Sequence, residues 1–183
     1  PDGRFLTFRA TARDPNRPPT KYLDYLDPSG YSKVRDARSK AGEPRDFVRL
    51  GVVAADQSAP PDSVEVRWIT LPEAGTERTV PNVVSWNLEG TRVVVQFVGE
   101  DDHDLWIAEL ALSSGETKVL AHDHDDGWIG GPPIQSNYLQ QPALLEWLPG
   151  NRFVFASERS GWSHLYLAEP DGTIRPLTQG HWE

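Results

Sequence analysis

Two stretches of this chain repeat one another, and that repetition limits the fold more than any single motif does. Val83-Val84-Ser85-Trp86-Asn87-Leu88-Glu89-Gly90-Thr91-Arg92-Val93-Val94-Val95 answers to Leu144-Leu145-Glu146-Trp147-Leu148-Pro149-Gly150-Asn151-Arg152-Phe153-Val154-Phe155. Each reads as apolar residues, Trp, a turn, Gly-x-Arg and a strand. The register continues: Asp104-Leu105-Trp106-Ile107-Ala108-Glu109 matches His164-Leu165-Tyr166-Leu167-Ala168-Glu169, and Gly115 with Leu120 matches Gly172 with Leu177. Four short strand signals result per unit, bounded by Gly, Pro, Asp and Asn.

A third copy enters part-way. Residues 1–8 supply its second strand, 48–53 its third and 64–69 its fourth, while its first strand has no counterpart. The opening Pro1-Asp2-Gly3-Arg4-Phe5-Leu6 also begins inside a turn-and-strand pattern, and the expectation is therefore an excerpt of a longer chain. Four-stranded units recurring roughly every 40 to 60 residues are the signature of propeller blades, and helical solenoids do not fit these residues. The expected fold is all-β, a β-propeller segment of about three four-stranded antiparallel blades. The partial first blade covers 1–79 and carries a long loop over 10–46; the second covers about 80–126 and the third about 142–183. Trp86 and Trp147, at equivalent positions, are expected in the blade cores. Strands such as 152–157 alternate little, as expected of sheets packed on both faces.

Composition narrows the function. The 183 residues are 38% hydrophobic and 10% aromatic, enough to build a core. A formal net charge of −9 and a pI near 5.0 oppose nucleic acid as a partner, because a polyanion must be met by clustered Lys and Arg. No apolar run reaches the roughly 18 residues a membrane-spanning helix needs. The chain has no Cys, which excludes disulfides, thiolate metal sites and a Cys nucleophile within it, and is compatible with periplasm and cytoplasm alike.

Further motifs carry a resemblance. Tyr31-Ser32-Lys33-Val34-Arg35, then Ser39-Lys40-Ala41-Gly42-Glu43-Pro44, precede the strand Val48-Arg49-Leu50-Gly51-Val52-Val53. Later comes Ser157-Glu158-Arg159-Ser160-Gly161-Trp162-Ser163-His164-Leu165-Tyr166-Leu167, and near the end Leu177-Thr178-Gln179-Gly180-His181-Trp182-Glu183. Over its whole length the chain resembles the propeller of dipeptidyl peptidase IV-like serine peptidases, in the prolyl oligopeptidase superfamily. The family pattern has Tyr-Pro-Lys and Tyr-Pro-Lys-Ala-Gly before that strand; here Ser32 and Ser39 replace the prolines and Arg38 replaces the second tyrosine. The later motif is shared in part with TolB-like propellers.

The resemblance implies a non-catalytic propeller that shapes access to a substrate cavity, from which dipeptides are removed at the free amino termini of short peptides. It implies as partner an α/β-hydrolase domain of the same polypeptide, which would carry the Ser, Asp and His. The paired glutamates that hold the substrate amine in the family precede the strand at Pro1. No catalytic residue and no cofactor is therefore assigned to this chain. Some family members extend a hairpin into a dimer arm where residues 54–63 stand; that stretch is short here, and a homodimer is carried as one expectation. The alternative is a TolB-like binding or interaction propeller without peptidase activity, which predicts more uniform repeats and shorter loops. An oligopeptidase or endopeptidase of the wider superfamily would lack the paired glutamates.

The candidate chemistry is sparse. No Gly-x-Ser-x-Gly elbow occurs. The nearest sequence is Gly161-Trp162-Ser163-His164-Leu165, where neighbours on a strand point to opposite faces and Ser163 and His164 cannot serve each other. His122-Asp123-His124-Asp125-Asp126 has ligand-type residues, but its spacing does not suit a metal, and it is expected as a solvated loop beside the similar Glu100-Asp101-Asp102-His103-Asp104. Arg and Lys from Lys33 to Arg49 are expected to keep the long loop in water, with an acidic partner domain as the other reading. The substrate-cleft candidates are Trp128, Ile129, Gly130 and Pro132, in the connection 122–142. This segment resembles the place where the family's propeller reaches the cleft, and an indole beside glycines can wall an apolar side chain. The competing reading is a Trp packed between blades.

Overall fold

Seven consecutive residues of one strand, Val93–Gly99, are all buried, and this pattern explains how the chain folds. A strand with one wet face alternates buried and exposed; a strand covered on both faces does not. Val93, Val95 and Phe97 join a core with Leu50, Val52, Ile69, Leu71, Trp106, Ala108 and Leu110. Val94 and Val98 turn the other way, into a second core with Leu105, Ile107, Leu145, Trp147, Phe153, Phe155 and Tyr166. The sheet containing this strand is thus the middle layer of three.

The computed structural model describes residues 3–16, 20–26, 28–37, 46–55, 60, 63–75, 78–131, 134 and 143–182. Among them, thirteen strands run in chain order: β1 Phe5–Ala12, β2 Lys21–Asp24, β3 Lys33–Asp36, β4 Phe47–Ala54, β5 Arg67–Trp68, β6 Thr79–Trp86, β7 Val93–Gly99, β8 Asp104–Leu110, β9 Thr117–His124, β10 Leu145–Leu148, β11 Arg152–Ser157, β12 His164–Ala168 and β13 Ile174–Pro176. The helical content includes a 3-10 turn at Pro72–Ala74. The sheets are β1-β4-β5, the hairpin β2-β3, and two four-stranded antiparallel meanders, β6-β7-β8-β9 and β10-β11-β12-β13.

The meanders are the two full repeats. Their matching glycines perform matching jobs: Gly90 (φ 70°) and Gly150 (φ 82°) turn the first hairpins, while Gly115 (φ 81°) and Gly172 (φ 90°) turn the last. These are left-handed conformations that a side chain opposes. In the first turn the buried Asn87 adds a scaffold. Its Oδ1 accepts the N–H groups of Thr91 (2.7 Å) and Arg92 (2.9 Å), and its amide donates to Asn151 Oδ1 of the next sheet at 2.8 Å. A turn residue therefore also links two layers. Trp147 is buried in the core shared with the middle sheet, and Trp86 is partly buried against the core on the other side.

The three-stranded sheet uses a glycine differently. A Cβ on Gly51 of β4 would stand 2.5 Å from Phe8 Cζ of β1, so the ring occupies the space a side chain would need. Phe8 then meets Trp68 edge-on at 5.8 Å. Close approach of this kind is a standard reason for glycine within a strand.

The chain divides into two compact bodies, Pro1–Arg9 with Arg49–Glu183, and Ala10–Val48. The second body corrects the expectation of an irregular loop over 10–46, because it contains the antiparallel β2-β3 hairpin, pairing Lys21 with Asp36 through Asp24 with Lys33. The hairpin lacks the apolar alternation that marks strands; β3 is exposed at all four residues. Backbone pairing and the Arg35–Asp24 ion pair at 2.6 Å hold it. The Lys-Ala-Gly-Glu-Pro motif and most of 54–63 lie outside the described residues.

Candidate functional site

The segment that carries Trp128 leaves the end of β9, where the sequence is most polar. His122, Asp123 and His124 are the last residues of that strand and not part of a loop, which corrects the expectation stated above. The reason is visible in alternation: His122 and His124 face outward, whereas Asp123 between them is only 4% exposed. A strand sends neighbours to opposite faces.

On the outer face, Asp104 at the start of β8 receives both imidazoles. His122 Nε2 lies 2.6 Å and His124 Nδ1 2.9 Å from Asp104 Oδ1, while His124 Nε2 lies 3.2 Å from Asp126 Oδ1. A neutral imidazole donates from one nitrogen only, so His124 satisfies both carboxylates as the imidazolium. Its hydrogen bonds to Asp104 and then to Asp126 hold its pKa above the ordinary 6.5. Burial pushes the Asp104 carboxyl up, but hydrogen bonds from His122 and His124 outweigh it and leave the group below its ordinary 3.8. The signs define a pH window. The stability that protonated His124 contributes is complete below pH 6.5 and is lost as pH rises through the raised value; the Asp104 contribution is lost as pH falls through the lowered one. His124→Gln should therefore cost stability at mildly acidic pH and progressively less above neutrality, as read from urea midpoints at several pH values. A difference that grew with pH would contradict this geometry. No group of three or more His, Cys, Asp or Glu among the described residues is arranged to hold a metal ion.

On the inner face, Asp123 reaches the third sheet. Ser157 Oγ donates to Asp123 Oδ2 at 2.5 Å, Arg159 Nη2 stands 2.9 Å from Asp123 Oδ1, and Arg159 Nε donates to Ser157 Oγ at 2.8 Å. The guanidinium lies over Tyr166 (4.9 Å) and Phe155 (5.5 Å), a cation–π arrangement. This cluster fixes the end of β9 against the end of β11.

The segment between these anchors is held at nearly every residue. Asp125 Oδ1 accepts the N–H groups of Gly127 (2.7 Å) and Trp128 (3.2 Å), and the N–H of Ile129 donates to the carbonyl of Asp102 at 2.8 Å. His103 Nδ1 donates to the Asp125 carbonyl at 2.8 Å. The N–H groups of Gly130 and Gly131 point at Glu158. Ile129 and Ile134 are buried in the core of the two meanders.

The four sequence candidates thus separate. Trp128 is 57% exposed, and its ring folds over Gly130, where a Cβ would stand 2.6 Å from Cζ2. Ile129 points inward as the anchor, Gly130 is the platform beneath the indole, and Pro132 lies outside the described residues. In the sequence Asp123 stood only in a polar run and Ser157, Glu158 and Arg159 only in a family motif; neither pattern marked them as neighbours of the Trp128 segment.

Ser163 and His164 do not form a nucleophile–base pair. His164 Nε2 donates to the Gly180 carbonyl at 2.9 Å, which leaves Nδ1 to accept from Thr178 Oγ1 at 3.2 Å. The imidazole is a buried structural link between β12 and the segment after β13.

Antiparallel four-stranded meanders packed face to face, with a segment rising from their ends, define a run of β-propeller blades. The sequence profile of the family described as the dipeptidyl peptidase IV (DPP IV) N-terminal region matches residues 1–183, and the chain belongs to that family. It is 39% identical over 88 residues to the "probable dipeptidyl peptidase 4" of Emericella nidulans, covering 46% of this chain and 11% of that protein. It is 35% identical over 79 residues to dipeptidyl peptidase 4 of Arthroderma otae, covering 42% of this chain and 9% of that protein. Its fold is similar to the crystal structure of Porphyromonas gingivalis dipeptidyl peptidase 4, with a TM-score of 0.71 at 20% identity over 100% of this chain and 24% of that one. The chain spans about a tenth of the length of these curated relatives and about a quarter of the solved structure.

Proposed function

We propose that this chain is the non-catalytic propeller part of a dipeptidyl peptidase IV-like serine exopeptidase, and that it walls the cavity from which amino-terminal dipeptides are released. The supporting observation is the Trp128 segment: an exposed indole on a backbone clamped by Asp125, Asp102 and Glu158. An aromatic side chain ordered before ligand arrives contributes contact area at low entropic cost. The acyl-transfer chemistry belongs to an α/β-hydrolase domain of the same polypeptide, with short peptides as substrates.

The test uses the full-length protein with a Gly-Pro chromogenic amide, unblocked and amino-blocked. Turnover of the unblocked substrate alone supports the exopeptidase, and Trp128→Ala should raise KM more than it lowers kcat. No turnover of either substrate by the folded protein would favour a TolB-like binding propeller.

A homodimer of the full-length protein is part of the same proposal; sedimentation velocity tests it, and a monomer throughout the concentration range would remove it.

A further inference from the structure

Two consecutive peptide N–H groups of the Trp128 segment converge on one side chain. Gly131 N–H donates to Glu158 Oε1 at 3.0 Å, and Gly130 N–H approaches Glu158 Oε2 at 3.4 Å. A carboxylate that accepts from successive amides holds a backbone in one orientation, because both oxygens must be met together.

The glycines make the contact possible. A Cβ on Gly131 would overlap Glu158 Oε1, and a Cβ on Gly130 would meet the Trp128 ring. The carboxylate therefore fills one side of this dipeptide and the indole covers the other. Glu158 is itself well placed to act as a reference point. It directly follows β11, and its neighbours on both sides, Ser157 and Arg159, bind the buried Asp123 at the end of β9. The strand from which the Trp128 segment departs is thus tied to the residues flanking the side chain that receives it.

We infer that Glu158 is a positioning residue: by holding the N–H groups of Gly130 and Gly131, it sets where the Trp128 ring stands in the wall of the cavity. The consequence for substrate binding rests on the cavity reading proposed above; the positioning of the ring does not. With both oxygens turned to peptide N–H groups, Glu158 acts on the indole through the backbone, without touching substrate.

The experiment combines a readout of the ring with a readout of the reaction, in the full-length protein. With seven Trp in this chain, Trp128 is isolated as the fluorescence difference between each protein and its Trp128→Phe counterpart. Glu158→Ala should change acrylamide quenching and the emission maximum of that difference signal. It should also raise KM for the unblocked Gly-Pro amide about tenfold, with kcat within about twofold, as expected for a lost positioning contact. Glu158→Gln keeps the volume and one acceptor oxygen and should recover part of both effects. It also serves as the test variant if the alanine protein does not fold. An unchanged Trp128 signal in folded Glu158→Gln and Glu158→Ala proteins overturns the inference. A changed signal with KM unmoved, in these variants and in Trp128→Ala, upholds the positioning by Glu158 and overturns the cavity reading instead.

Discussion

Phe155→Ala should lower the unfolding free energy by about 3–5 kcal/mol, the usual range for emptying a large aromatic site in a core. Phe155 is fully buried at the centre of β11, paired with Leu145 of β10 on one side and Tyr166 of β12 on the other. Its ring contacts those of Phe153 at 5.8 Å and Tyr166 at 5.9 Å, and it forms part of the core joining the two meanders. Three properties place the effect at the upper end. The ring is flanked by strands that pair through backbone hydrogen bonds and cannot close inward, the opposing face belongs to another sheet, and the Arg159 guanidinium loses one of its two aromatic supports. Leu88→Ala, at a 63% exposed turn position, should cost little by comparison. Chemical unfolding followed by near-ultraviolet circular dichroism would measure both. A loss below about 1 kcal/mol for Phe155→Ala would mean that the two meanders do not share this core.

Arg159→Ala should also destabilise strongly, for an electrostatic reason. The substitution leaves the Asp123 carboxylate, 4% exposed, with the Ser157 hydroxyl but without its cation. Breaking a fully buried ion pair by removing one partner costs about 3–5 kcal/mol; because the Arg159 side chain is 30% exposed, we expect about 2–3 kcal/mol. A second substitution separates this mechanism from lost packing. Asp123→Asn removes the stranded charge, so the Asp123→Asn/Arg159→Ala protein should be less destabilised than the sum of the two single changes. Strict additivity would show that the pair is not coupled, and that the loss comes from the guanidinium over Tyr166 and Phe155 alone.

These two residues illustrate what the sequence does and does not reveal. Phe155 was legible as a strand residue because the repeat aligns it with Val95 of the other meander, and both prove to be core. The turn glycines and the two Trp positions were legible for the same reason: local geometry repeats when local sequence repeats. Arg159 was not. Its partner lies 36 positions earlier in another sheet, and nothing in the Ser-Glu-Arg motif specifies which carboxylate comes to meet it. The end of β9 was hidden by composition, since His-Asp-His-Asp-Asp has the polarity of a loop and acquires strand character from pairing with β8. The β2-β3 hairpin was hidden for a related reason, as a ribbon without a buried face leaves no apolar period to read. At the candidate site the sequence indicated the segment but not the division of labour within it. Adjacent Trp128 and Ile129 look alike as apolar residues, and only the fold turns one outward and the other into the core.

The two meanders are each a single uninterrupted stretch of chain, 79–124 and 145–176, and each sheet packs a face on the next. Such an arrangement is nearly one-dimensional in its energetics: each layer has an intrinsic stability and a coupling to the layer beside it. Among the described residues, damage in the third sheet is expected to reach the sheet of β1, β4 and β5 through the middle one. The middle sheet, buried on both sides, therefore governs cooperativity. Weakening Asn87 or the β7 core should uncouple the layers before it unfolds them, splitting one transition into two.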